Sequence, residues 1–193
     1  MVGPLLDIIL SLIVRGVIVL AVLNTTIALQ SKLSEKTMQA NMFNLTTTVA
    51  RIMTTDFNMV GYSPSPPLPS SPYFTSATQD TIEITYYNPT YSNQRWVKYF
   101  LGNRSEMSST SNPNDHRLYR ADGTSPGSAT PVVVASGVDS LKFKYFDGSG
   151  TPTSTKSSIK SFQVYLLMAT GEKVNGIYPA GEWTYRFYPM NLY

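Results

Sequence analysis

The chain opens with a long apolar run that passes into a helical stripe. Residues 8–29 read IILSLIVRGVIVLAVLNTTIAL, in which Arg15 is the only charge. Residues 30–60 contain neither glycine nor proline, and their apolar residues recur three or four positions apart, as on one face of a helix. Pro4 suits a first helical turn and Gly61 suits a helix end. The pattern predicts one helix from about residue 4 to residue 60, roughly 85 Å long.

The two halves of this helix need different surroundings. The first half is apolar on nearly every side and is long enough to cross a bilayer, which takes about 20 residues. Its start, MVGPLLD, carries Asp7 and no basic residue, so a retained helix is favoured over a secretory signal. The second half is apolar along one stripe, which predicts packing on a globular domain, with Val49, Ile52 and Phe57 in the contact.

Short alternating patterns predict a β-sheet after the helix. In residues 138–146, Leu141, Phe143 and Tyr145 alternate with Lys142 and Lys144, which gives one face to a core and the other to water. Strand patterns occur at 81–87, 95–101, 117–120, 131–135, 138–146, 159–168 and 183–188. The predicted fold is α+β: a very long N-terminal helix packed on a C-terminal antiparallel sheet.

Four segments follow from these patterns. Residues 1–30 form the hydrophobic half of the helix, which spans a membrane or lies in the core of an assembly. Residues 31–61 form its amphipathic half. Residues 62–79, rich in proline and serine, are predicted to be a loop, and residues 80–193 to be the β domain.

Composition removes several kinds of chemistry. The 193 residues include no cysteine and one histidine, so disulfides, thiol catalysis, cysteine-based zinc sites and multi-histidine metal sites within one chain are excluded. The net charge of +3 is too small to indicate a nucleic-acid partner. No nucleophile–base pattern accompanies His116, and the DGSG segment at 147–150 fits a hairpin turn better than a calcium loop. We therefore predict no enzymatic activity, cofactor or metal.

Several single residues have candidate roles. Asp56 either braces the helix end against the sheet or is a solvated surface acid. Gly61 is predicted to cap the helix, because a left-handed cap favours glycine, and Tyr62 to anchor the following loop. Asn103 begins the sequon Asn-Arg-Ser and is a possible glycosylation site.

Asp7 and Arg15 are the charges of the hydrophobic half that need explaining. Eight residues separate them, or about 12 Å along a helix, too far for a pair within one helix. One interpretation pairs Asp7 of one subunit with Arg15 of the next in a staggered stack. The other places each charge at a membrane interface or in water.

Four segments carry a resemblance to a known family. They are TTDFNMVGYSP at 54–64, HRLYRADG at 116–123, ASGVDSLKFKYFDGSG at 135–150 and IKSFQVYLLM at 159–168. With the long helix before them, they resemble the type IV pilins and type II secretion pseudopilins, most of all the PilW-type minor pilins and J-type minor pseudopilins. The processing motif of that family is not matched: GPLLD stands at 3–7, and Asp7 is the only acid near the position of the family's glutamate.

The resemblance implies a pilin-like fold and a structural role in an extracellular filament at the cell surface. The filament core would contain Leu12, Val19 and Leu23 together with Asp7 and Arg15. Partners would be copies of the same chain and other pilin-like subunits, with the inner membrane holding each subunit before assembly. Both a major and a minor subunit remain open. The alternative is a single-span, membrane-anchored binding module at the surface, such as an adhesin or a tip subunit.

Overall fold

One helix and seven strands make up the fold. The computed structural model describes residues 3–64, 73–90, 92–125 and 129–192. Short 3-10 turns at Arg104–Met107, Lys156–Ser158 and Met190–Leu192 lie in the connections. The elements are α1 (Gly3–Asn58), β1 (Phe74–Ala77), β2 (Thr81–Asn88), β3 (Asn93–Leu101), β4 (His116–Gly123), β5 (Val132–Phe146), β6 (Ser161–Ala169) and β7 (Ala180–Phe187).

The strands form a single antiparallel sheet in chain order, from β1 to β7. The sheet curls around the C-terminal part of α1, which packs mainly on β7 and β6. The predicted α+β class, with one long N-terminal helix on an antiparallel sheet, is confirmed, and the arrangement is consistent with pilin-like architecture.

Helix α1 is continuous over its 56 residues, through Gly16 and through the Asn24–Thr26 patch. It therefore has the predicted extent to within two residues at its C-terminal end. The chain leaves the helix at Gly61, whose φ of +71° is the left-handed conformation predicted for a cap. A Cβ there would lie 3.3 Å from Asn191 and 3.2 Å from Tyr73, so the close packing also favours glycine.

Two features of the sheet differ from the sequence prediction. The strands predicted at 131–135 and 138–146 are one strand, β5, because Gly137 with a φ of +82° accommodates a shift in the β4–β5 register instead of a turn. Strand β1 falls inside the segment 62–79 that was predicted to be a loop. Its four residues, FTSA, are too few and too polar to give an alternating pattern. Residues 65–72 of that segment lie outside the described residues.

The core lies between the last third of α1 and the concave face of the sheet. Met42 is the first core residue of the helix, followed by Val49, Met53 and Phe57, and Val60 joins the core just after the helix ends. Phe57 stands at the centre: its ring meets the rings of four residues on four strands edge-on, with centroids 5.2–6.3 Å apart. These residues are Tyr99 on β3, Phe143 on β5, Phe162 on β6 and Phe187 on β7. The sheet is thus closed around one helical face.

Candidate functional site: the exposed half of helix α1 and its junction with the sheet

The apolar half of α1 projects away from the β domain. Its isoleucine, leucine and valine side chains between residues 8 and 29 are all about half exposed or more. The helix is long and apolar enough to cross a membrane, with a mean hydropathy of 2.3 in its most apolar window, none of which is buried. Surface of this kind is normally covered by lipid or protein.

The three apolar residues predicted for a filament core lie along one stripe of this surface. Leu12, Val19 and Leu23 are 51–62% exposed. Spacings of seven and four residues keep them on one side of the helix. They are available for contacts outside the chain, and their contact with another subunit stays a prediction.

Asp7 and Arg15 are exposed and line one shallow groove with Ser11 and Leu12. Neither forms an ion pair with another described residue of the chain. This agrees with their separation of about 12 Å along the axis. Pairing between subunits therefore stays a prediction.

Two threonine hydroxyls of this half are satisfied inside the helix. The hydroxyl of Thr25 donates to the carbonyl of Ala21 at 2.8 Å, and that of Thr26 to the carbonyl of Val22 at 2.9 Å. Such bonds leave no hydroxyl donor exposed to apolar surroundings. Thr25 and Thr26 are therefore compatible with burial in lipid or among other helices.

The residues predicted for helix–sheet packing divide between core and edge. Val49 and Phe57 are buried in the core as predicted, but Ile52 is 39% exposed and lies outside it. Met53 takes the core position, because spacings of four residues from Val49 to Met53 to Phe57 follow one helical face. Ile52 instead lines a shallow groove of about 510 Å³ beside Val133 at the start of β5.

Asp56 braces the helix end against the sheet. Its side chain is buried, and Oδ2 accepts a hydrogen bond of 2.5 Å from the Tyr99 hydroxyl. Arg120 on β4 binds both carboxylate oxygens, with Nε 2.7 Å from Oδ2 and Nη2 3.1 Å from Oδ1. The first of the two interpretations of Asp56 is therefore confirmed, and the solvated surface acid is wrong.

Two more charges extend this brace along the sheet. Nη1 of Arg120 donates to Asp122 Oδ2 at 3.2 Å, and Nε of Arg95 donates to Asp122 Oδ1 at 2.8 Å. The network therefore alternates in sign and contains two acids and two bases. It links α1 with β4 and β3, which are adjacent strands.

The electrostatics of the brace keep its donors protonated. Burial raises the pKa of Tyr99 far above its ordinary value, and the charge of Asp56 raises it further. Burial lowers the pKa of Arg120, but the hydrogen bonds and charge of Asp56 outweigh this effect and raise that pKa overall. The Tyr99 hydroxyl and the Arg120 guanidinium thus remain donors to Asp56 at any physiological pH.

Gly61 and Tyr62 join the helix end to the sheet through their backbones. The N–H of Gly61 donates to the carbonyl of Thr85 at 3.0 Å, and the N–H of Tyr87 donates to the carbonyl of Tyr62 at 2.8 Å. The half-buried Tyr62 side chain also packs against the core. Both residues occupy the places predicted for a cap and an anchor.

Asn103 is exposed at the start of the Arg104–Met107 turn. Its Oδ1 accepts a hydrogen bond from the N–H of Ser105 at 3.1 Å and caps the turn. The exposure is compatible with modification, and glycosylation stays a prediction.

The β domain also contains a cleft of about 820 Å³. It opens where the second part of β5 faces the turn between β1 and β2, and its lining includes Lys144, Gln163 and Tyr165. Within the described ranges, no three acidic, histidine or cysteine side chains come together to hold a metal. The lone His116 uses its ring Nδ1 in a 2.9 Å hydrogen bond with the carbonyl of Gly102.

Known proteins give no further guide to these surfaces. No protein-family model matches the chain, and no curated protein is significantly similar to it in sequence.

Proposed function

We propose that this chain is a structural subunit of a pilus-like helical filament that polymerises through the hydrophobic half of α1. The observation that carries the proposal is the contrast along one unbroken helix. From Ile8 to Leu29 the apolar side chains are exposed, whereas from Met42 onward the helix supplies a stripe to a closed core. The first half is therefore built to be covered by something outside the chain.

Side-by-side packing of these helices would cover that surface. Each apolar contact removes surface from water at about 25 cal/mol per Å², and many neighbours make the sum large. A staggered stack of identical subunits is an open helical assembly, which needs no closed symmetry. Before assembly, the same segment suits a single membrane span. The resemblance of four segments to pilins and pseudopilins points in the same direction.

A repeating lattice also needs a fixed orientation between helix and β domain. Two contacts near the middle of α1 support such an orientation. Asn175, in the β6–β7 connection, donates from Nδ2 to Glu35 Oε2 at 3.2 Å, and its Oδ1 accepts a hydrogen bond from Ser31. Residues 30–60 contain no glycine or proline, so this part of α1 has no helix-breaking residue about which the β domain could reorient.

A second candidate is a membrane-anchored binding module with the same single span. The cleft of about 820 Å³ on the β domain favours it, since this volume is in the range of ligand sites. The two candidates differ in whether the apolar half of α1 contacts lipid or other copies of the chain.

Electron microscopy of native protein sheared from cells without detergent separates them. We expect uniform filaments with an axial rise on the order of 10 Å, as helices stacked at 1.5 Å per residue allow. Leu12→Asp and Leu23→Asp should abolish the filaments while leaving the β domain folded, because these side chains make no core contact. A chain recovered only as a detergent-soluble monomer would instead support the anchored module.

A further inference from the structure

A buried carboxylate outside the helix–sheet brace has no hydrogen-bond donor. Asp115 lies just before β4 and is fully buried. Neither of its carboxylate oxygens accepts a hydrogen bond from any described residue. An ionised carboxylate in such a place costs far more than its burial returns, so a native protein normally gives it a cation or keeps it protonated.

A second acid and a buried amide stand next to Asp115. The N–H of Asp115 donates to the carbonyl of Asn112 at 3.4 Å. The side chain of Asn112 donates from Nδ2 to Oδ1 of Asp139 on β5 at 2.8 Å. Burial raises the pKa of Asp139, its hydrogen bond with Asn112 lowers it, and the charge of Asp115 raises it again. The pairing of His116 with Val138 makes Asp115 and Asp139 neighbours across the β4–β5 pair, and both residues hydrogen-bond to Asn112.

Two glycines lie beside the carboxylate of Asp115, with methyl groups of Met42 and Thr110 near the same two glycines. A Cβ on Gly137 would lie 3.7 Å from Oδ1, and one on Gly171 would lie 3.4 Å from Oδ2. The same Cβ on Gly137 would be 2.8 Å from the carbonyl oxygen of Ala169. The carboxylate is therefore flanked by two glycines and has a backbone oxygen, an acceptor and not a donor, in its neighbourhood.

Arg104, in the loop before Asp115, donates its hydrogen bonds to backbone carbonyls. Arg104 donates to the carbonyls of Pro113 at 3.1 Å, Asn112 at 2.7 Å and Thr110 at 3.2 Å. It also donates to the carbonyl of Met107. These bonds hold the loop that presents Asp115, and they leave the guanidinium bound to carbonyls instead of to that carboxylate.

We propose that Asp115 and Asp139 form a calcium site, with the Ala169 carbonyl and water completing the coordination shell. The ligands are all oxygens, which suits a hard cation, and Ca²⁺ tolerates the irregular geometry of a loop beside two strands. The Asp147 turn is the contrasting case. Its Oδ1 accepts hydrogen bonds from the N–H groups of Ser149 and Thr151 and from the Ser149 hydroxyl, so that acid is already satisfied. The proposal does not depend on filament assembly.

The test uses the full chain in non-ionic detergent micelles, dialysed against a chelator and titrated with CaCl₂. We expect isothermal titration calorimetry to report one site with a Kd on the order of 10⁻⁴ M, because few carboxylates contribute. At about 5 mM Ca²⁺ the Tm should rise by about 5 °C. Mg²⁺ at equal ionic strength should have a smaller effect, since it requires a tighter octahedral shell.

Three variants decide the assignment. Asp115→Asn and Asp139→Asn should each abolish the Ca²⁺-dependent rise in Tm, and Asp139 is the safer position for folding because its side chain is only partly buried. Asp147→Asn, the matched control, should keep that rise. The proposal is overturned by wild type that binds no Ca²⁺, by an equal response to Mg²⁺, or by a Ca²⁺ response that survives in Asp139→Asn. Absent binding with a higher Tm for Asp115→Asn would indicate a protonated buried acid instead.

Discussion

Asp56 is the residue at which helix and sheet are joined by charge as well as by apolar contact. Its position near the end of α1 allows two interpretations, a brace or a solvated acid. The sequence does not indicate which residues are its partners. Arg120 lies 64 positions along the chain and Tyr99 lies 43. Local patterns assign β3 and β4 to strands, and only their register brings these two side chains to one carboxylate.

Removing the charge of Asp56 tests this brace. Asp56→Asn leaves the partly buried Arg120 without its bidentate carboxylate, and we expect the free energy of unfolding to fall by about 3 kcal/mol. Tryptophan fluorescence during thermal unfolding in micelles measures the change. Asp80→Asn removes a partner of Lys142 from an exposed ion pair of 3.0 Å and should cost less than about 1 kcal/mol. Equal losses in the two variants would contradict a structural role for the brace.

The burial of Asp115 cannot be predicted from its local sequence. The segment SNPNDH gives no sign that this acid is buried, since asparagine, proline and aspartate usually indicate an exposed turn. Its burial arises because the loop folds against Gly171 and the β5 bulge at Gly137, which are far away in the sequence. The composition of the chain predicts no metal, so a calcium ion bound by this buried side chain would be a feature that only the tertiary structure indicates.

For helix α1, the sequence predicts the length better than it predicts which residues face the sheet. Its helical pattern predicts the length closely, because the run of residues 30–60 without glycine or proline has few alternatives to a helix. The pattern was less exact about which residues face the sheet. Ile52 is at the margin of the apolar stripe and Met53 at its centre, since the sheet curls around one side of the helix.

Two phenylalanines on α1 provide a matched test of this element. Phe57 is fully buried among four aromatic rings, whereas Phe43 is 60% exposed. Phe57→Ala should lower the free energy of unfolding by about 4 kcal/mol through lost contacts and a cavity. Phe43→Ala should change it by less than about 0.5 kcal/mol. Thermal unfolding of both variants in micelles makes the comparison, and a large loss for Phe43→Ala would contradict the described core.

In the whole molecule, the β domain covers only the C-terminal part of α1 and leaves its apolar half exposed. The sheet and residues 42–60 together form the hydrophobic core. The apolar surface between residues 8 and 29 has no partner among the described residues. Apolar surface of this extent is normally covered by lipid or by other protein chains. Assembly is therefore a property to be tested between molecules.

A charge swap tests the proposed stagger between neighbouring subunits. Asp7→Arg and Arg15→Asp alone should each reduce the filament yield by at least about tenfold, because either leaves like charges opposed in an apolar interface. The double variant should restore filaments by exchanging the two partners. Counts of filaments by electron microscopy give the yield, and Lys36→Glu, at an exposed position in the amphipathic half of α1, serves as the control. Failure of the double variant to recover would point to separate contacts with water or lipid.

Local sequence patterns are sufficient to predict the helix, its two kinds of surface, most of the strands and the α+β class. These follow from local periodicity, since the 3.6-residue and two-residue repeats appear directly in the order of apolar and polar residues. Four features became visible only in the tertiary structure. Two predicted strands are one strand, β5, and β1 is an additional strand. Asp56 binds Tyr99 and Arg120, and Asp115 is buried. Each depends on strand register and on packing between distant segments, which no local pattern encodes.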